Sequence, residues 1–96
     1  MSKVLISDTV NDKMMELRTY LSQDLKLSIE TTKSRISRMR NFVKTLSNSY
    51  ALCRFKKWRD LGYHCVVFEK NWIFAYEVFD KGIIVQDMAH TATLSD

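Results

Sequence analysis

Proline is absent from the chain, so no turn takes its geometry from a fixed pyrrolidine ring and each must be shaped by other residues. Long apolar runs are missing too. No stretch approaches the roughly 20 residues of a bilayer span, and the N-terminal MSKVLISDT offers one basic residue and a short apolar run, too little for a secretion signal. The expectation is a cytoplasmic protein with no membrane partner. Cysteine is limited to Cys53 and Cys65, with no other ligand at metal spacing except the adjacent His64, whose side chain would leave a strand on the opposite face from Cys65. No metal and no cofactor are therefore expected. A reducing cytosol makes both cysteines buried thiols in this reading, with a disulfide between them left open as the alternative.

Acidic residues are missing from one long segment. Between Glu30 and Asp60 there is no Asp or Glu, while Lys33, Arg35, Arg38, Arg40, Lys44, Arg54, Lys56, Lys57 and Arg59 all fall there. The formal net charge of +4 understates this asymmetry, since the rest of the chain is net acidic. A field of one sign attracts polyanions, either nucleic acid or an acidic protein segment, and speeds their encounter. Trp58 stands among Arg54, Lys56, Lys57 and Arg59, and basic residues interleaved with an aromatic suit a polyanion-binding surface.

What is present fits one globular domain spanning 1–96, since 96 residues with 46% hydrophobic content supply a single modest core. Val4, Leu5 and Ile6 suggest a first strand over Lys3 to Ser7. Asp8 or Thr9 can cap a helix with the stripe Val10, Met14, Leu17, Leu21 and Leu25. Ser28 can cap a second, with the stripe Ile29, Thr32, Ile36, Met39, Val43 and Leu46. Lys33, Arg40 and Lys44 flank one side of that stripe, Arg35 and Arg38 the other. A short connection between the stripes predicts a helical hairpin. Asn48, Ser49 and the loss of periodicity from Tyr50 to Leu61 predict a connecting segment, with a short strand near Cys53 to Trp58.

Three short strands follow, GYHCVVFEK, NWIFAYEVF and GIIVQDMAH. In the second, Trp72, Phe74, Tyr76 and Val78 share one face and Ile73, Ala75, Glu77 and Phe79 the other. The aromatic face is the expected partner of the helices. Lys70-Asn71 predicts a tight turn and Asp80-Lys81-Gly82 a three-residue loop with glycine in the left-handed position. The predicted fold class is α+β, an N-terminal strand and helical hairpin packed on a twisted, mostly antiparallel sheet.

The order strand, helix, helix, meander, together with WIFAYEV and a last strand ending in His90, resembles the RelE/ParE superfamily of type II toxin–antitoxin toxins. The resemblance implies a growth-inhibiting toxin of plasmid-stabilisation type, neutralised by an antitoxin in a hetero-oligomer, acting by inhibiting DNA gyrase. The alternatives are a ribosome-dependent mRNA endoribonuclease and a degenerate, non-toxic antitoxin-binding module. His90 matches the family's terminal histidine and is the candidate catalytic residue. Ile73 stands where the family has the arginine that clamps a scissile phosphate. Proton transfer would have to be rebuilt from His64, His90, Tyr63, Glu69 or Glu77. Arg54, Lys56, Lys57, Trp58, Arg59 and His64 are the candidate target-binding set, and Lys33, Arg35, Arg38, Arg40 and Lys44 the candidate surface for an acidic antitoxin segment.

Overall fold

A computed structural model of the chain describes residues 3–46 and 52–93. The predicted connecting residues Asn48, Ser49 and Tyr50 lie outside the described residues.

Strand β1 (Lys3–Ile6) leads into helix α1 (Asp8–Thr19). The cap is Ser7 rather than Asp8 or Thr9: its Oγ accepts from the Val10 backbone N–H, satisfying a donor that the first helical turn leaves open. The helix then widens into a π-helical turn over Tyr20–Asp24, closed by Leu25 N–H donating to the Tyr20 carbonyl. Helix α2 (Ile29–Lys44) begins at Ser28 as its sequence predicts, with Ser28 Oγ accepting from Thr31 N–H.

The sheet has the order β1-β4-β3-β2, with β2 (His64–Phe68), β3 (Trp72–Phe79) and β4 (Gly82–His90) forming an antiparallel meander and β1 lying parallel to β4. Both long helices pack on the face that carries Phe74 and Tyr76. Val10, Met14, Met39, Val43, Phe74, Tyr76, Val85 and Met88 make the main core there. Of Val10, Leu17, Leu21, Ile36, Met39, Val43, Phe74, Tyr76 and Val85, the residues expected in the core, only Leu17 is half-buried rather than buried. The ends of both stripes miss: Leu25 and Ile29, at the hairpin bend, are exposed.

The opposite face of the sheet is covered as well. The segment predicted as a strand near Cys53 to Trp58 instead makes a single bridge, Leu52 to His64, and then a short helix α3 (Lys56–Arg59). It carries Trp58 onto the back of the sheet, where Cys53, Trp58, Ile73 and Ala75 form a second, smaller core. The cysteines are also corrected. Cys53 and Cys65 are joined by a disulfide rather than held as thiols. The Cys53 N–H donates to the Tyr63 carbonyl, which brings Cys53 beside the back-facing side chain of Cys65 across a loop no spacing rule could close in advance.

Turns differ in detail. The β2–β3 connection is Glu69-Lys70-Asn71, with Glu69 and Lys70 both in the left-handed region (φ 49° and 67°). Gly82 belongs to β4 itself, paired with Phe79, so the loop is Asp80-Lys81 alone. What requires glycine there is a close approach: a Cβ at Gly82 would stand 1.9 Å from the Lys3 carbonyl oxygen. Gly82→Ala is therefore expected to push β1 off β4 at a cost at or above the usual ~1–3 kcal/mol of overpacking. The check is a lowered Tm with loss of amide protection confined to Lys3 through Ile6. In β4, Gln86 is an extra residue opposite the step from Ala75 to Tyr76, a bulge that ends the pairing with β1. Past it, Ser7 Oγ donates to the Gln86 carbonyl and Lys13 Nζ to the Met88 carbonyl, which blunts the exposed strand edge.

Candidate functional site

His90 ends β4 opposite Trp72, and the two rings meet edge to face with centroids 5.1 Å apart. Its Nδ1 accepts from the Ala92 backbone N–H at 3.1 Å, and its own carbonyl accepts from Thr93 Oγ1. A neutral imidazole whose Nδ1 accepts carries its hydrogen on Nε2, so the ring is oriented as a donor. Trp72 shares the helix-facing side with Phe74 and Tyr76, and His90 lies with it. Ile73, the position that the resemblance aligns with the phosphate-clamping arginine, lies in the back core. His90 and position 73 thus project to opposite faces of the sheet.

Of the other proton-transfer candidates, Glu69 alone shares a groove with His90. His64 stacks on Tyr76, with ring centroids 5.4 Å apart, at the other edge of the sheet. Glu69 accepts from Arg38 at 2.8 Å. Glu77 accepts from Gln86 Nε2, and Tyr63 packs with the back core. No group of His, Cys, Asp or Glu among the described residues is arranged to hold a metal ion.

The acid-free segment becomes three separate surfaces. Lys33, Arg40 and Lys44 lie on the outer side of the helical layer around a shallow depression of about 290 Å³, joined there by Arg18 and by no acidic side chain. Arg40 is steadied by Asn11, whose Oδ1 accepts from its guanidinium at 3.0 Å. Arg35 and Arg38 face the other way, into a groove of about 630 Å³ between the helices and the end of the sheet that holds Trp72 and His90. Arg54, Lys56, Lys57 and Arg59 are exposed on the back of the sheet, around α3. Arg59 donates to the Arg54 carbonyl, which holds two of these charges on one small knob.

Trp58 is not part of that surface. At 1% exposure its ring is a core anchor and has no face free for a base to stack on. His64, grouped with the same set in the sequence, lies on the helix-facing side and not beside α3. Arg18, Tyr20 and Asn71 are lining residues that the sequence reading passed over. Arg18 could have been found, since it follows Leu17 on a helix whose stripe faces α2. Tyr20 and Asn71 enter the groove only through the π-helical turn and the left-handed turn, which side-chain periodicity does not register.

Comparison with protein-family models gives no match for the chain, and comparison with curated proteins gives none either. Among the described residues no helix is long and apolar enough to cross a membrane.

Proposed function

We propose that the chain is a toxin of RelE/ParE type that acts by binding its target, DNA gyrase, and not by cutting RNA. One observation carries the choice between these mechanisms: His90 and the position aligned with the family's arginine lie on opposite faces of the sheet. A phosphate clamp and a proton donor must reach the same phosphate, and a side chain at position 73 cannot reach a phosphate that His90 touches. Binding needs a shaped and charged surface, and the knob of Arg54, Lys56, Lys57 and Arg59 supplies one. The depression lined by Arg18, Lys33, Arg40 and Lys44 is the surface for an acidic antitoxin segment, whose charge complementarity would speed association and make it salt-sensitive.

The site of action in this reading is the cytoplasm. A reducing compartment opens disulfides, so the reading requires α3 to hold its place through Trp58 when Cys53 and Cys65 separate.

The test is growth after induction at equal protein levels, with mapping of messenger RNA ends and of gyrase-linked DNA breaks. Wild type and His90→Ala should inhibit growth about equally. Replacing Arg54, Lys56 and Arg59 with Ala should abolish inhibition, because each charge-assisted hydrogen bond is worth about 1.5–3 kcal/mol. Ribosome-dependent cuts that vanish in His90→Ala would reverse the assignment, since losing an acid–base catalyst costs about a hundredfold to ten-thousandfold in rate.

A further inference from the structure

The groove between the helices and the end of the sheet belongs to neither surface used above. Its volume, about 630 Å³, falls within the roughly 300–1,000 Å³ of small-molecule sites. Two departures from regular backbone converge on it. The π-helical turn brings Tyr20 and Leu21 to one wall, and such turns concentrate at functional sites. Glu69 lines another wall in a left-handed conformation that a non-glycine residue holds at a cost. That turn is tied down twice from the far side of His90: Thr91 N–H donates to the Asn71 carbonyl at 2.8 Å, and Thr91 Oγ1 to the Lys70 carbonyl. Arg38 spans from α2 to Glu69 and fixes the width of the opening.

The chemistry of the lining is divided. Leu21, Met39 and Trp72 give an apolar, partly aromatic surface suited to a flat ring. The Arg35 guanidinium lines the same groove and makes no hydrogen bond or ion pair with any other described residue, while Arg38 is already matched by Glu69. His90 adds a donor at Nε2, because its Nδ1 accepts from Ala92. One uncompensated cation and one oriented donor beside an apolar surface select a ring that bears an anion. We infer that this groove is a binding site for a small planar anion, of the chemistry shared by nucleoside monophosphates and aromatic carboxylates.

The probes are adenosine 5′-monophosphate, adenosine and indole-3-acetate, each titrated into the ¹⁵N-labelled full chain. Shifts should cluster on the amides of Leu21, Arg35, Trp72 and His90 with at least one anionic probe, and which anion binds tighter assigns the source. Adenosine, which has the ring without the charge, should bind about tenfold more weakly or worse. Arg35→Gln should weaken the anionic probe by about ten- to a hundredfold without changing Tm, since Arg35 is exposed. Lys44→Gln, on the other side of α2, should change nothing. Shifts centred on the Lys33 and Lys44 depression, equal binding of adenosine, an unaffected Arg35→Gln variant, or no binding of any probe would each overturn the site.

Discussion

Phe74→Ala is expected to remove about 3–5 kcal/mol of stability, a large part of the roughly 5–15 kcal/mol that holds a domain folded. Phe74 is fully buried in the middle of β3, paired with Val66 on one side and Met88 on the other. Above it lies Phe42 of α2, with ring centroids 6.3 Å apart, and Phe42 in turn meets Phe68 at 4.9 Å. Truncation opens a cavity where helix and sheet meet, with rigid strands on both sides that cannot close it. At about 4–8 °C of Tm per kcal/mol for a domain of this size, the loss is visible in a single melt. Phe79→Ala supplies the contrast: that ring is 37% exposed and on the back of β3, and its loss should cost far less. A Phe74→Ala melt indistinguishable from wild type would mean that the helices do not pack on this face.

That face was readable from the sequence because period-two alternation in WIFAYEVF and the three- and four-residue steps of the α2 stripe both point to one buried side. The hairpin followed from two stripes separated by Ser28. Where the periodic signal stopped, so did the reading. Trp58 sits among Arg54, Lys56, Lys57 and Arg59, and by composition that segment looks like surface; only the fold reveals that one turn of helix points the tryptophan inward and Lys56, Lys57 and Arg59 outward. The same cover explains the misread cysteines. Cys65 was placed correctly on the face opposite His64, but that face had no visible partner until the segment from Leu52 to Trp58 folded onto it. The split of the α2 cations was legible too, with Lys33, Arg40 and Lys44 on one side of the stripe and Arg35 and Arg38 on the other; grouping all five as one antitoxin surface set it aside, since nearness in sequence is not nearness in space. That His90 and position 73 cannot serve one phosphate has an elementary reason. Once Trp72 and His90 are directly opposite in register, the adjacent residue 73 must face away.

The cover on the back of the sheet has two anchors, and they should separate experimentally. Opening the Cys53–Cys65 link, which closes a sequence separation of 12, is expected to cost about 3 kcal/mol by the loop-entropy argument for loops of this order. Trp58→Ala is expected to cost about 3–5 kcal/mol, because the ring fills the back core against Ile73 and Ala75 and meets Phe55 edge to face. Its buried Nε1–H has no hydrogen-bond partner among the described residues, so the anchor works through apolar contact and the indole nitrogen contributes nothing favourable. Trp58→Phe, which keeps a ring and removes the unpaired donor, should accordingly cost much less than Trp58→Ala. The measurement is Tm with and without reductant, and tryptophan emission in a Trp72→Phe background so that Trp58 alone reports. Reduction should lower Tm while the emission stays that of a buried indole. Trp58→Ala under reduction should release the segment and raise amide exchange at Ile73 and Ala75. Emission that shifts to that of a solvent-exposed indole on reduction alone would show that the disulfide, and not the ring, holds the cover. In that case the basic helix would lose its place in a reducing cytoplasm, and the charged knob could not be the target-binding surface there.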